Sequence, residues 1–365
     1  MREVGEEENR SGLPIESTSP VPCLRVTFCL NSPHTRRKVF TMSGTETDFR
    51  ITNLPFRGPW LLAPMEGITD PSFRDIMLGE FRSSSLGGAF TEFVRISAAP
   101  VQPHVIERHL GARRFPSPVG LQLMGSDVDH VAASARIAAR AGAPLVDLNF
   151  GCPSRGARQG CVGSSLLAFP DRMEALVAAC VRAVEGLVPV SAKIRAGVSS
   201  DKDVEVLARA VENGGASMLT IHCRTRDEAY CDVVDWDRIG RAVSAVSIPV
   251  CGNGGILEHR DLERMRQHTG CALVMVGRAA LRDPWVFSGR SVTATEAAKF
   301  LLRYVASMRE RVPGAELGML GRMKQILRFW HAGGLAVADR SEWLSVAEPA
   351  MMVQKLERVA AGVPA

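Results

Sequence analysis

Residues 144–154 read PLVDLNFGCPS, an apolar run of strand-forming residues that ends in a turn carrying a cysteine. Seven more short apolar runs lie on either side of it, separated by segments with the 3.6-residue apolar period of helices. This alternation is typical of a parallel α/β sheet. Eight parallel strands within roughly 220 residues favour a closed (β/α)8 TIM barrel over an open doubly wound sheet.

The remaining strands and helices follow from the same patterns. The predicted strands are Trp60–Met65, Gly88–Val94, Pro118–Met124, Pro144–Phe150, Pro189–Arg195, Met218–Arg224, Ile248–Asn253 and Ala272–Gly277. One intervening helix begins at Pro170 and Asp171, and its apolar stripe is predicted to be buried. The stripe consists of Met173, Leu176, Val177, Cys180, Val181 and Val184. Three helical stretches are predicted after the last strand: Thr295–Arg311, Leu317–His331 and Ser341–Ala360.

We therefore divide the chain into three parts. Residues 1–48 are rich in Glu, Ser, Pro and Arg without a sustained period, so we expect a disordered or wrongly started extension, with Met42 as an alternative start. Residues 49–290 form the predicted catalytic barrel, and residues 291–365 a small all-helical domain.

Composition argues against a membrane protein and against a secreted protein. The 365 residues contain no uninterrupted apolar run of the roughly 18 residues that a membrane span needs, and the N-terminus lacks the features of a secretory signal. Nine cysteines occur singly, without a CxxC pair, which favours reduced thiols and predicts no metal site. We expect a cytoplasmic monomer. The net charge of +5 favours a polyanionic partner without requiring one.

Polar or glycine-rich turns follow nearly every predicted strand, at the end where barrel active sites are built. Glycine turns follow strands seven and eight, at Asn253–Gly255 and at Gly277–Arg278. Backbone amides in such turns can face an anion, and barrels often bind a phosphate between these two loops. Together the turns favour a phosphate-bearing cofactor, although either alone could simply close a tight turn.

Three further side chains suit a flavin ring. Gln122, Lys193 and His222, at the ends of strands three, five and six, could supply hydrogen bonds along its polar edge and a positive charge near its reduced pyrimidine end. A lysine within an apolar strand needs a charged partner, unless it is a solvated strand end. His222 could instead be a buried histidine with its hydrogen bonds satisfied.

Six motifs resemble one family in order and spacing: APMEGITD, DLNFGCPS, AKIRAG, IHCRTRDEAY, GNGGI and VGRAAL. They resemble the tRNA-dihydrouridine synthases over about residues 58–330. The DLNFGCPS motif and the tail from Gly321 to Trp330 look most like the bacterial C-type branch.

The resemblance implies reduction of the 5,6 double bond of a D-loop uridine in tRNA, with NADPH first reducing bound FMN. Hydride transfer to carbon 6 leaves negative charge toward carbon 5, and the family motif makes Cys152 the proton donor there. A thiol suits this donation because it is mostly protonated at neutral pH. The alternative interpretation of Cys152 is a small buried hydrophobe.

The same match assigns binding roles. The residues expected to hold FMN are Pro64, Met65, Glu66, Gln122, Lys193, His222, Asn253, Gly254, Gly277 and Arg278. Met65 could equally be core packing. Asn149 is expected to contact flavin or uracil, and Arg195 and Arg224 to hold substrate or phosphate. Three other cysteines, Cys161, Cys223 and Cys231, have no derived role.

Positive charge that could contact RNA occurs in three groups. They are Arg155 with Arg158, Arg113 with Arg114, and Arg322 with Lys324 and Arg328. The last group is favoured for tRNA because Lys324 and Arg328 share a helix face, while Met323, Ile326, Leu327 and Trp330 can pack. A solvated helix face is the alternative. The rival functions are an FMN barrel reductase of a free small molecule and an inactive tRNA-binding relative.

Overall fold

The computed structural model describes residues 51–81, 85–112, 114–154, 157, 160–228 and 234–363. The predicted extension at residues 1–48 lies outside this range, as do Arg113, Arg155, Arg158 and Cys231. The strands are β1 (Trp60–Leu62), β2 (Gly88–Phe90), β3 (Val94–Arg95), β4 (Val119–Met124), β5 (Val146–Phe150), β6 (Val190–Arg195), β7 (Met218–His222), β8 (Val250–Asn253) and β9 (Leu273–Val276).

The strands close into an eight-stranded parallel barrel. β1 pairs with both β2 and β9, β2 pairs with β4, and each later strand pairs with its successor in the chain. The short β3 pairs with the far end of β4, so the predicted run Gly88–Val94 is split between two strands. The predicted (β/α)8 fold is confirmed.

Helices surround the barrel and continue after it. They are α1 (Pro71–Glu80), α2 (Pro103–Leu110), α3 (Val128–Arg140), α4 (Pro170–Ala183), α5 (Val204–Asn213), α6 (Asp237–Ala245), α7 (Arg260–Thr269), α8 (Arg278–Arg282), α9 (Ala294–Arg311), α10 (Glu316–Leu327), α11 (Arg340–Ser345) and α12 (Pro349–Ala360). The buried stripe predicted for α4 is confirmed at Met173, Leu176, Val177 and Cys180, and Val184 just beyond the helix is also buried.

The barrel interior has an apolar half and a polar half. Leu61, Phe90 and Leu273 are fully buried in the apolar half, where each large side chain contributes about 1.5–3 kcal/mol. Phe56 packs beneath this layer, with its ring centroid 5.7 Å from that of Phe90. Because the apolar layer fills the amino-terminal half, the polar side chains are concentrated at the carboxyl ends of the strands.

The C-terminal helices show one departure from prediction. The predicted continuous stretch Ser341–Ala360 is wrong, because α11 ends at Ser345 and α12 begins at Pro349. Proline has no N–H to donate and disfavours helical backbone at the residue before it, so the chain breaks there. No helix in the described part of the chain is long and apolar enough to cross a membrane.

Candidate active site

Side chains from three neighbouring strands form one chain of hydrogen bonds inside the polar half of the barrel. The carboxylate of Asp147 on β5 accepts from Ser191 Oγ and from Gln122 Nε2, both at 2.6 Å. Gln122 Oε1 in turn accepts from Asn149 Nδ2 at 2.7 Å. A carboxylate offers only acceptors, so Asp147 fixes the orientation of the Gln122 amide and, through it, that of Asn149.

Cys152 lies at the end of this chain, on the turn that follows β5. Asn149 Oδ1 accepts from the backbone N–H groups of Gly151 and Cys152, both at 3.0 Å. On the other side, the Cys152 carbonyl accepts from Ser164 Oγ at 2.7 Å. The thiol is partly exposed and lies 3.4 Å from Ser154 Oγ. The backbone of the predicted catalytic residue is therefore held on two sides, while its side chain stays partly exposed.

Lys193 lies directly beside Asn149 in the strand register. Burial, followed by the charge of Arg195, lowers the pKa of Lys193 to about 8. Burial raises the pKa of Asp147 to about 6, although its hydrogen bonds and Lys193 oppose the shift. The ammonium group makes no hydrogen bond or ion pair with another residue that the structure describes. Such a lysine fits an anionic ligand.

His222 is neutral in this environment. Burial, followed by the charges of Lys193 and Arg195, holds the pKa of His222 well below its usual value. Its Nδ1 accepts the backbone N–H of Arg224 at 3.2 Å, so the single ring proton resides on Nε2. The ring can therefore act as a hydrogen-bond donor through Nε2.

Arg195 and Arg224, the two arginines predicted to hold substrate or phosphate, are both buried. Arg195 donates from Nε to the Gly151 carbonyl at 2.9 Å and from one terminal nitrogen to the Thr225 carbonyl at 2.8 Å. These bonds brace the turn that carries Cys152. Contact of Arg195 or Arg224 with substrate stays a prediction.

The turn after β8 offers unpaired backbone donors. Gly254 and Gly255 have φ values of +105° and +77°, which glycine adopts without strain. The N–H groups of Gly254, Gly255 and Ile256 meet no acceptor among the described residues. The side chain of Asn253 instead links the strands, donating to the Met275 carbonyl at 2.8 Å. Successive free amides of this kind form a concavity suited to an anion such as phosphate.

The loop after β1 lies beside the turn after β9. The Met65 N–H donates to Thr69 Oγ1 at 2.8 Å, which closes the turn that carries Glu66 and directly follows Pro64. A Cβ placed on Gly277 would lie 3.6 Å from Met65 Sδ, so the two loops are in contact distance. Arg278, which follows Gly277, is exposed.

An acidic cluster that the sequence did not reveal links this loop to the C-terminal helices. Burial raises the pKa values of Glu66 and Glu92, and Arg322 of α10 opposes both shifts. Arg322 Nε also lies 3.8 Å from Asp70 Oδ2, and Arg322 is the residue nearest to a Cβ placed on Gly67. The structure therefore places Arg322 in an ion pair between α10 and the barrel.

The other basic residues of this helix lie near its end. Lys324 is partly buried in the last turn of α10, and Arg328 is exposed just after it. The predicted packing residues Met323, Ile326, Leu327 and Trp330 are all buried, as expected. RNA contact by Lys324 and Arg328 stays a prediction.

Asp147, which accepts two of these hydrogen bonds, is the main residue of the candidate site that the sequence analysis did not single out. The sequence feature that could have identified Asp147 is the one that identified Lys193: a charged residue inside an apolar strand. Over the ranges that the structure covers, no three His, Cys, Asp or Glu side chains are grouped as a metal ion would require.

Comparisons with known proteins found one matching family model and several similar proteins. The family model described as "Dihydrouridine synthase (Dus)" matches residues 61–327. The chain is 38% identical over 231 residues to the tRNA-dihydrouridine(16) synthase of Cupriavidus necator, covering 62% of this chain and 71% of that protein. It is 31% identical over 297 residues to the tRNA-dihydrouridine(16) synthase of Aquipseudomonas alcaligenes, covering 78% and 89%.

Among solved structures, histamine dehydrogenase from Rhizobium sp. 4-9 superposes with a TM-score of 0.52 at 13% identity, covering 70% of this chain and 50% of that one. This likeness concerns the barrel fold alone.

Proposed function

Because the chain belongs to the dihydrouridine synthase family, we propose that it is an oxidoreductase that converts uridine to dihydrouridine in tRNA. The observation that carries the proposal is the hydrogen-bonded chain from Asp147 to the Cys152 turn, which lies at the end of the barrel where enzyme sites are built. It ends at the turn of the Cys152 thiol, and Lys193 lies beside Asn149, a member of the same chain, in the strand register.

The cofactor in this proposal is FMN, with NADPH as the source of electrons. Two observations support the fit of FMN: the free amides of Gly254, Gly255 and Ile256, and the ammonium group of Lys193. The amides would hold the phosphate, while Lys193 and the Nε2 proton of His222 would bind the pyrimidine end of the ring. Gln122 would face the polar edge, and Met65 and Gly277 would cover the ring. Bound FMN, once reduced by NADPH, would supply the hydride that reduces carbon 6 of the uracil.

Cys152 supplies the proton in this proposal. Reduction at carbon 6 places negative charge toward carbon 5, so an acid is needed at that carbon. The thiol is partly exposed, while its backbone is fixed through Asn149, Ser164 and, by way of Gly151, Arg195. A fixed backbone keeps the donor within reach of one carbon, which is how positioning lowers a barrier. Proton transfer from Sγ to carbon 5 completes dihydrouridine.

The target uridine in this proposal is position 16 of the D-loop. Two relatives, matched over 62% and 78% of this chain, are named for that position. Lys324 and Arg328 would contact the phosphate backbone, so their replacement should weaken binding in a salt-dependent way. The barrel at residues 49–290 would carry the chemistry, and the helices at residues 291–365 would orient the tRNA.

The experiment is the dihydrouridine content of tRNA, mapped by position, in cells that lack the gene. Loss at position 16, restored by the wild-type protein and not by Cys152→Ala, is the expected result. Unchanged dihydrouridine at every position, with no redundant enzyme present, would contradict the proposal. A reductase of a free pyrimidine would then be the favoured alternative.

A further inference from the structure

The indole of Trp236 contacts the glycine turn that follows β8. We propose that Trp236 is a positioning residue for the cofactor phosphate, because its N–H group fixes the peptide between Gly254 and Gly255. This inference rests on the proposed function, since it takes the turn to be the site of the FMN phosphate. Trp236 itself does not touch the phosphate.

The first step is the orientation of one peptide group. Trp236 directly precedes α6, and its Nε1 donates to the Gly254 carbonyl at 3.1 Å. In a trans peptide the carbonyl and the following N–H point in opposite directions. With the Gly254 carbonyl held toward Trp236, the Gly255 N–H points away from the indole, and it meets no acceptor among the described residues.

The second step is the lack of room for the turn to rearrange. A Cβ on Gly255 would lie 2.5 Å from Val234 Cγ1 and 2.9 Å from Trp236 Nε1. A Cβ on Gly254 would lie 3.2 Å from His222 Nε2. Both sides of the turn are therefore occupied, and the indole hydrogen bond selects the direction of the peptide within this narrow space.

The indole of Trp236 is itself in contact with two side chains of α7. The Arg264 guanidinium lies 5.9 Å from the indole centroid, and the His268 ring lies 6.2 Å away in an edge-on arrangement. Both residues belong to α7. Trp236 also forms part of the wall of an open groove of about 860 Å³ on the outside of the barrel, so it is only partly buried. A change in this ring can therefore remove the N–H without emptying the core.

Two substitutions separate the N–H from the bulk of the ring. Trp236→Phe keeps an aromatic ring but has no donor, whereas Trp236→His places Nε2 at the equivalent position of a five-membered ring and keeps the donor. Trp330→Phe is the matched control, because the Trp330 indole donates to the Ala332 carbonyl at 3.2 Å, in the C-terminal helical region. Affinities for FMN and for riboflavin, which lacks the phosphate, are measured by flavin fluorescence on each full-length protein freed of flavin.

The expected result is that Trp236→Phe binds FMN about three- to tenfold more weakly, the range for one hydrogen bond, and binds riboflavin as the wild type does. Trp236→His should keep most of the affinity for FMN, and Trp330→Phe should change neither affinity. An equal loss for both flavins in Trp236→Phe, or no loss for either, would overturn the role of Trp236.

The affinities of the wild-type protein test whether the turn after β8 binds the FMN phosphate. A clear preference for FMN over riboflavin is expected. Equal affinities in the wild type would refute the phosphate site itself, and with it this inference, whereas a wild-type preference that Trp236→Phe leaves intact would refute only the role of Trp236. Circular dichroism of each variant establishes that it is folded, and Trp236→Leu, which also lacks the donor, replaces Trp236→Phe in the comparison if Trp236→Phe is not.

Discussion

Asp147 should destabilise the fold at neutral pH, and its replacement by asparagine tests this directly. The carboxylate is fully buried, and burial raises its pKa from 3.8 to about 6. Asparagine has the same shape. Its Oδ1 can accept from Gln122 while its Nδ2 donates to Ser191 Oγ, so the orientation of Gln122 and Asn149 is preserved.

The magnitude follows from the pKa shift. A carboxyl group with a raised pKa in the folded state costs nothing while it is protonated in both states, and its ionisation lowers stability as the pH rises through the window from 3.8 to about 6. A shift of roughly two units corresponds to about 3 kcal/mol above that window. We therefore expect Asp147→Asn to be more stable than the wild type by about 3 kcal/mol at pH 7.5, by about half of that at pH 5, and by less than about 1 kcal/mol at pH 4.

The assay is urea unfolding of the flavin-free proteins, followed by circular dichroism at the three pH values. Ser191→Ala is a second test of the pKa shift, because it removes one hydrogen bond to the carboxylate and should raise the pKa of Asp147 further. A variant less stable than the wild type at pH 7.5, or a difference that does not change with pH, would refute the reasoning. It would mean that the ionised carboxylate stabilises the fold, as part of a tight pair with Lys193.

Three further results are expected. Cys152→Ala should lower dihydrouridine formation by at least about 100-fold, while FMN affinity is unchanged. Cys161→Ala, in the exposed part of the same loop, should retain activity. Equal losses in both variants would contradict a special role of Cys152. Lys193 is protonated below about pH 8, so the affinity for reduced, anionic FMN should fall by up to about tenfold per pH unit above pH 8. Lys193→Met should bind reduced FMN weakly at every pH. A wild-type affinity that does not change with pH would contradict this role of Lys193. Arg322→Ala should lower the free energy of unfolding by about 1 kcal/mol or less. The effect should be smaller in 1 M salt, because the ion pair is partly exposed. A larger loss that salt does not reduce would contradict the electrostatic explanation.

The barrel was predictable because it depends on patterns that are local in sequence. Each strand is a short apolar run, and β5 ends in its turn at the position where the motif DLNFGCPS places it. The boundary at Pro349 was also encoded locally, since proline stops a helix before it, but the predicted stretch was drawn across it.

The candidate site was predictable only in part, for a physical reason. Cys152, Lys193 and His222 were visible as polar residues at strand ends, whereas the function of Asp147 depends on its hydrogen bonds to residues of two other strands. Arg322 was grouped with Lys324 and Arg328 as positive charge that could contact RNA, yet the fold pairs it with Asp70, 252 positions earlier in the numbering. Contacts of such long sequence separation leave no pattern in one sequence.

A single-turnover experiment shows whether the purified protein passes electrons from a bound flavin to a uridine of tRNA. The FMN-loaded protein is reduced with NADPH without oxygen, and unmodified tRNA is then added while the flavin absorbance is recorded. We expect reoxidation of the flavin with formation of one dihydrouridine at position 16, and no dihydrouridine with Cys152→Ala. Flavin that stays reduced with tRNA but is reoxidised by a free pyrimidine would contradict the proposed function.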